Sequence, residues 1–66
     1  MPIIRIELLP GRTALQKARY AQEVTQLTAE ILGCAQETVD VIFTEIQGED
    51  WVHAGVPYAP PIHAQR

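Results

Sequence analysis

The sequence predicts an α/β (α+β) fold, a single β-α-β unit followed by a short C-terminal hairpin. Three observations predict it: an alternating apolar segment at residues 2–9, a long helical pattern that begins at Thr13, and a second β-rich segment at residues 39–46. A strand, a crossover helix and a second strand form a right-handed unit with parallel strands. Because the chain has only 66 residues, we expect one domain over residues 1–66.

The first strand is predicted from the segment PIIRIELL. Ile4, Ile6 and Leu8 alternate with Arg5 and Glu7, and a period of two places the apolar side chains on one face of a strand. The proline–glycine pair that follows this segment ends the strand.

The helix is predicted by its two ends and by the spacing of its apolar residues. The segment TALQ is a capping box, in which the hydroxyl of Thr13 accepts from the amide of Gln16 while the Gln16 side chain reaches back. Gly33 ends the helix, since glycine readily adopts the left-handed conformation found there. We expect one apolar stripe at helical spacing, formed by Ala18, Ala21, Val24, Leu27 or Thr28, and Ile31.

The second strand, VDVIFTEI, is rich in β-branched residues, which favour a sheet. Parallel sheets bury both faces, and one helix covers only one of them. Scaffolds of this size need a disulfide, a metal or association to be stable, and Cys34 is the only cysteine. We therefore expect the fold to depend on an oligomer in which another subunit covers the second face.

The last twenty residues contain glycines and prolines that exclude a long regular element. A short hairpin is predicted near residues 51–56. The segment YAPP is expected to run extended. For the final segment, YAPPIHAQR, the alternatives are that it lies across a neighbouring subunit or that its end is partly disordered.

Composition excludes several classes of function. The formal net charge is −3, which argues against nucleic-acid binding. No apolar run approaches the ~20 residues of a membrane span, and no secretion signal is present, so we expect the cytoplasm. His53 and His63 have no metal-ligand spacing with Cys34, and we expect neither a metal nor another cofactor.

Pro2 is the first candidate catalytic residue. Aminopeptidase removes an initiator methionine that precedes a small residue, and removal of Met1 would leave Pro2 with a free secondary amine. An α-amino group has a pKa of about 7.7–8.0, and an apolar site lowers it, so the amine would be a base near neutral pH. The alternative is that Pro2 only begins an edge strand, where its missing N–H does no harm.

Arg12 is the second candidate, because it follows Gly11 just past the strand end. A guanidinium at that place can bind a carboxylate through two hydrogen bonds. The alternative is a solvated loop charge.

Four features follow one another along the chain: MPIIRIELLPGR, EVTQLTAEILG, ETVDVIFTE and an aromatic residue after an acidic turn. In this order they resemble the 4-oxalocrotonate tautomerase family, from Met1 to about Trp51. The resemblance implies a keto–enol isomerase of small 2-oxo or 2-hydroxy carboxylic acids, with Pro2 as the base and Arg12 binding the substrate carboxylate. It implies a homo-oligomer, a hexamer built as a trimer of dimers, with a hetero-hexamer as the alternative. Trp51 stands where the family has a phenylalanine wall.

Two departures from the family pattern leave alternatives open. Asp40 stands at the family's second arginine, and an aspartate would repel an anionic substrate group. The segment WVHAG is similar to part of a chloroacrylate dehalogenase of the same superfamily, in which a water-activating glutamate stands where His53 is. The alternatives are a hydratase or dehalogenase that uses Pro2 and His53, and a non-catalytic oligomer. His53 can also be a polar hairpin residue without a role.

Overall fold

The computed structural model describes residues 2–59 and confirms the β-α-β order. The first strand, β1, spans Ile3–Leu8; the helix, α1, spans Ala14–Leu32; and the second strand, β2, spans Asp40–Glu45. A short 3-10 turn at Gln36–Thr38 leads into β2. Met1 and the predicted extension of the tail beyond residue 59 lie outside the described residues.

The two long strands pair in parallel, as predicted, with Ile3 opposite Asp40 at one end and Leu8 opposite Glu45 at the other. The alternation in β1 is also confirmed. Ile4, Ile6 and Leu8 are half-buried, whereas the residues between them are exposed. The sheet therefore has one face that packs toward the helix and one face that residues 2–59 leave open.

Both predicted helix ends are confirmed. The Thr13 hydroxyl accepts from the backbone N–H of Gln16 at 3.0 Å, and the Gln16 side-chain oxygen accepts from the Thr13 N–H at 2.9 Å. Gly33 has a φ of 71°, and its N–H donates to the carbonyl of Ala29 at 3.0 Å. The capping box and the left-handed glycine fix where the helix starts and stops.

The predicted apolar stripe of the helix is partly wrong. Leu27 and Ile31 are 52% and 70% exposed, and Ala18 is exposed as well. The half-buried helix residues are Lys17, Ala21, Val24, Thr25, Thr28 and Ala29. The face that meets the sheet is rotated from the predicted one, because it includes a lysine and two threonines that hydrophobicity alone assigns to solvent.

The predicted C-terminal hairpin is present and short. Its strands are β3, Val52–His53, and β4, Val56–Pro57, and they pair antiparallel. A 3-10 turn at Gly48–Asp50 precedes β3. The two turn residues, Ala54 and Gly55, both have positive φ, 52° and 83°, as a two-residue hairpin turn of type I′ requires.

The protomer does not enclose a core of its own. None of residues 2–59 is buried. The radius of gyration is 15.8 Å, against about 11 Å for a compact chain of this length. The accessible surface is 5275 Å², whereas a folded monomer of this mass exposes about 4,200 Å². This excess of open surface supports the expected dependence on other subunits, which stays a prediction.

Candidate active site

Pro2 lies at the start of the sheet, immediately before β1. It is half-exposed, and its carbonyl accepts a hydrogen bond of 3.0 Å from the backbone N–H of Asp40. This bond ties the residue to the first position of β2. The position of Pro2 is therefore fixed by the sheet and does not depend on a loop.

Arg12 lies at the opposite end of β1, after Gly11, which has a φ of 126°. Its side chain is exposed and forms no ion pair within residues 2–59. It borders a cleft of about 340 Å³ between helix and sheet, whose other lining residues are Ile6, Leu8, Gln16, Lys17, Tyr20 and Phe43. Arg12 thus offers an unpaired guanidinium beside a largely apolar wall, which suits a carboxylate joined to an apolar group.

Two contacts shape this cleft. The Nζ of Lys17 is 2.9 Å from a carboxylate oxygen of Glu45, so the start of the helix is tied to the end of β2. The rings of Tyr20 and Phe43 meet edge to face with centroids 6.2 Å apart. Because Lys17 is paired, Arg12 is the cleft's one cation without an ion-pair partner among the described residues.

The structure does not bring Pro2 and Arg12 of one chain together. Six residue steps separate Pro2 from Leu8, and an extended strand rises by about 3.3 Å per residue, so Pro2 and Leu8 are ~20 Å apart. Arg12 follows the far end. A single protomer therefore carries the proposed base and the proposed anion clamp at opposite ends of one sheet.

Trp51 and His53 belong to the hairpin, which follows the far end of β2. Trp51 is half-exposed and stacks on Tyr58 with ring centroids 5.4 Å apart. His53 is exposed and stands opposite Val56 across the hairpin. The imidazole of His53 has no hydrogen-bond partner among the described residues.

Asp40 is the first residue of β2 and lies beside the Pro2 end of the sheet. It is exposed and forms no ion pair with any described residue. Its register partner is Ile3, so its side chain lies on the open face of the sheet. Arg5 is exposed on the same face of the sheet, and no ion pair joins it to Asp40.

Sequence reasoning missed the cleft as a feature. Lys17 lies outside the predicted apolar stripe of the helix, yet it is half-buried and paired with Glu45. The one available signal was the spacing of Lys17, Ala21, Val24 and Thr28, which places them on one helix face. The pairing of Lys17 with a residue 28 positions away has no local signature.

No cluster of three or more potential metal ligands occurs within residues 2–59. Over the same range, no helix has both the length and the apolar character needed to span a membrane.

Comparison with known proteins places these observations in a family. The family model described as "Tautomerase enzyme" matches residues 2–59. A probable tautomerase of Ralstonia nicotianae is 40% identical over 57 residues, which cover 86% of this chain and 81% of the relative. The 2-hydroxymuconate tautomerase of Bacillus subtilis is 31% identical over 55 residues, covering 83% of this chain and 89% of the relative. A solved 4-oxalocrotonate tautomerase homologue from the tomaymycin biosynthetic pathway has a TM-score of 0.82 and 35% identity, covering 86% of this chain and 88% of its own.

Proposed function

The chain belongs to the tautomerase family and is an isomerase of that type, and from this premise we propose that it interconverts the keto and enol forms of small 2-oxo and 2-hydroxy carboxylic acids, with the amine of Pro2 as the base. The observation that supports this proposal is the fixed position of Pro2 just before β1, where its carbonyl is hydrogen-bonded to Asp40. We propose that residues 1–66 form one domain. The reaction requires that Met1 be removed, because an amide nitrogen at Pro2 has no basicity.

In this mechanism the Pro2 amine takes the proton from the enol hydroxyl of the substrate. The electrons of the broken O–H bond form the carbonyl, and the former double bond takes the proton back at carbon. After the reaction, the substrate and the enzyme each carry as many protons as they did before it. Arg12 holds the carboxylate through a pair of charge-assisted hydrogen bonds, so the reacting atoms stay in place during both transfers.

The active site is shared between two copies of the chain. The ~20 Å between Pro2 and Leu8 are too long for one small substrate to bridge. Two copies related by a two-fold axis, with their β1 strands antiparallel, place the start of one strand beside the end of the other. The described sheet contains only β1 and β2, so each strand has one edge that residues 2–59 do not pair. We propose a homo-oligomer, a hexamer built as a trimer of such dimers.

The hairpin supplies the wall of the site in this assembly. Trp51 follows the end of β2, on the Arg12 side of the sheet, and it excludes water from the amine of the neighbouring copy. Exclusion of water lowers the pKa of the Pro2 amine, since burial disfavours the ammonium form. His53 borders the same wall and contacts the substrate. We propose no proton transfer by His53, and therefore no hydration or dehalogenation, because nothing in the described residues orients its imidazole.

The substrate is a monocarboxylate such as phenylenolpyruvate. Arg12 is the cation that its carboxylate meets, and the apolar cleft beside Arg12 accepts the remainder of the molecule. Asp40 at the Pro2 end repels a second carboxylate. The relative from Bacillus subtilis is named for 2-hydroxymuconate, a dicarboxylate that we expect to be a poor substrate here.

Removal of the base tests this function. Protein whose mass shows Pro2 at its amino terminus is compared with Pro2→Ala and with protein that retains Met1. We expect both changes to lower kcat for phenylenolpyruvate by about a hundredfold or more, the usual contribution of a general base. Equal rates for all three proteins on every enol tested would show that Pro2 is only a strand residue and would favour a non-catalytic oligomer.

A further inference from the structure

A carboxylate stands beside the residue that serves as the base. The backbone N–H of Asp40 donates to the carbonyl of Pro2 at 3.0 Å, and Asp40 is the register partner of the next residue, Ile3. A residue's nitrogen and its own carbonyl oxygen are about 3 Å apart in extended backbone. The nitrogen of Pro2 therefore lies within about 6 Å of the nitrogen of Asp40, and the carboxylate carbon of Asp40 is three bonds from that nitrogen.

The charge of Asp40 is not neutralised within the described chain. The two ion pairs of residues 2–59 join Lys17 to Glu45 and Arg19 to Glu23, and neither involves Asp40. The other titratable or charged side chains on the elements at this end of the sheet are Arg5, Glu30, Cys34 and Glu37. Unlike these four residues, Asp40 has a backbone N–H that is hydrogen-bonded to the carbonyl of Pro2.

We propose that Asp40 is a positioning residue that stabilises the ammonium form of the processed Pro2 amine and thereby sets the pH above which the enzyme is active. The inference rests on the proposed function, because Met1 has to be removed. A carboxylate attracts the ammonium but not the neutral amine, so it raises the pKa of the amine. Asp40 thus opposes the apolar wall and the neighbouring copy's guanidinium, both of which favour the neutral form.

Titration of the amine in the absence of substrate tests this directly. The chain is labelled at proline, and the signal of the amino-terminal Pro2 is followed by NMR as a function of pH. We expect Asp40→Asn to lower the titration midpoint by about 0.4–1.5 pH units, the size expected for one charge at ~8 Å. Asp40→Glu should keep the midpoint close to that of the wild type. The acidic limb of kcat/KM for phenylenolpyruvate should move with the midpoint.

Two controls remove the same charge elsewhere. Glu7 lies on the same strand face as Ile3 but pairs with Thr44 near the other end of the sheet, and Glu37 lies in the turn before β2. We expect Glu7→Gln to change the midpoint by less than about 0.3 pH units, since screening at physiological salt is strong beyond ~8 Å. We expect Glu37→Gln to change the midpoint by less than Asp40→Asn does. A midpoint in Asp40→Asn equal to that of the wild type, or an equal shift in both controls, would overturn the role of Asp40.

A second measurement uses salt. Raising the salt concentration toward about 1 M should shrink the difference in midpoint between the wild type and Asp40→Asn, and a difference that stays constant or grows would contradict the role of Asp40. Because the titration contains no substrate, it separates this inference from the proposed function. A shifted midpoint without turnover would uphold Asp40 and reject the isomerase reaction, and turnover without a shift would do the reverse.

Discussion

The two ends of the β1–β2 sheet carry different chemical groups. At the amino-terminal end, Pro2 is bonded through its carbonyl to Asp40, and the group beside the proposed base is an anion. At the carboxyl end, Arg12 borders an apolar cleft without an ion-pair partner in residues 2–59, and the available group is a cation. Proton transfer and anion binding are therefore assigned to opposite ends of one strand.

This difference is the reason that we propose a second copy. A parallel strand pair fixes the positions of its two ends, but it also holds Pro2 and Leu8 ~20 Å apart. Bringing a base and an anion clamp within reach of one small substrate then requires the opposite end of another sheet. The open surface of the protomer, none of whose described residues is buried, is consistent with that requirement.

The largest effect is expected at the Arg12 end. Arg12→Ala removes a pair of charge-assisted hydrogen bonds to the substrate carboxylate, each worth about 1.5–3 kcal/mol, so kcat/KM should fall by about a hundredfold to ten-thousandfold. We expect KM to rise and kcat to fall, because the clamp acts in the ground state and in the transition state. Arg12→Lys should restore part of the loss, since lysine supplies the charge without the planar fork.

The matched control is Arg19→Ala. Arg19 is 80% exposed on α1 and pairs with Glu23, and it does not line the cleft beside Arg12. Its removal should leave KM for phenylenolpyruvate within about twofold, as for a surface charge. An equal rise of KM in Arg19→Ala and Arg12→Ala would mean that general charge, and not the Arg12 end, attracts the substrate.

A smaller effect is expected when the amino-terminal end is made cationic. Asp40→Arg should raise the preference for a dicarboxylate muconate over phenylenolpyruvate by about tenfold, because repulsion of the second carboxylate becomes attraction. The ratio is measured at one pH, so a change in the fraction of neutral Pro2 amine cancels. Wild-type protein that already prefers the dicarboxylate would show that Asp40 does not face the substrate.

The smallest effect concerns the hairpin at the Arg12 end. Ala54 has a φ of 52°, a conformation that costs a residue with a Cβ about 1–2 kcal/mol. Ala54→Gly should raise the free energy of unfolding by about 0.5 kcal/mol, after the added flexibility of the unfolded chain is subtracted. Gly55→Ala, at a φ of 83°, should lower it by about 1 kcal/mol. Denaturation at a fixed protomer concentration measures both, and equal stability of all three proteins would contradict the strained turn.

Local sequence patterns were sufficient for the β-α-β unit. The alternation in PIIRIELL, the capping box at Thr13 and the left-handed position of Gly33 each depend on residues within one turn or one strand, and the structure confirms all three. The rotation of the helix was not predictable in the same way. Its sheet-facing side includes Lys17, whose partner Glu45 lies 28 residues along the chain.

The candidate site residues could be proposed from the sequence, but their arrangement in space could not. In the sequence, Pro2 and Arg12 lie just before and just after one strand, which suggests that they act together. Because that strand is extended, it keeps them apart within one chain. The bond between Pro2 and Asp40 depends on the strand register, which no local pattern specifies. Asp40 could therefore be noticed as a charge that repels anions, but not as a neighbour of the amine.

The central claim, that each active site combines Pro2 of one copy with Arg12 of another, is tested most directly by mixing two inactive variants. Pro2→Ala and Arg12→Ala are unfolded together, refolded at equal concentrations and assayed with phenylenolpyruvate, and light scattering verifies that both assemble. In a mixed dimer one site carries both substitutions and the other carries neither. Random mixing makes half of the dimers mixed, so activity should return to about a quarter of the wild-type value. Activity no higher than the sum of the separate variants would contradict a shared site.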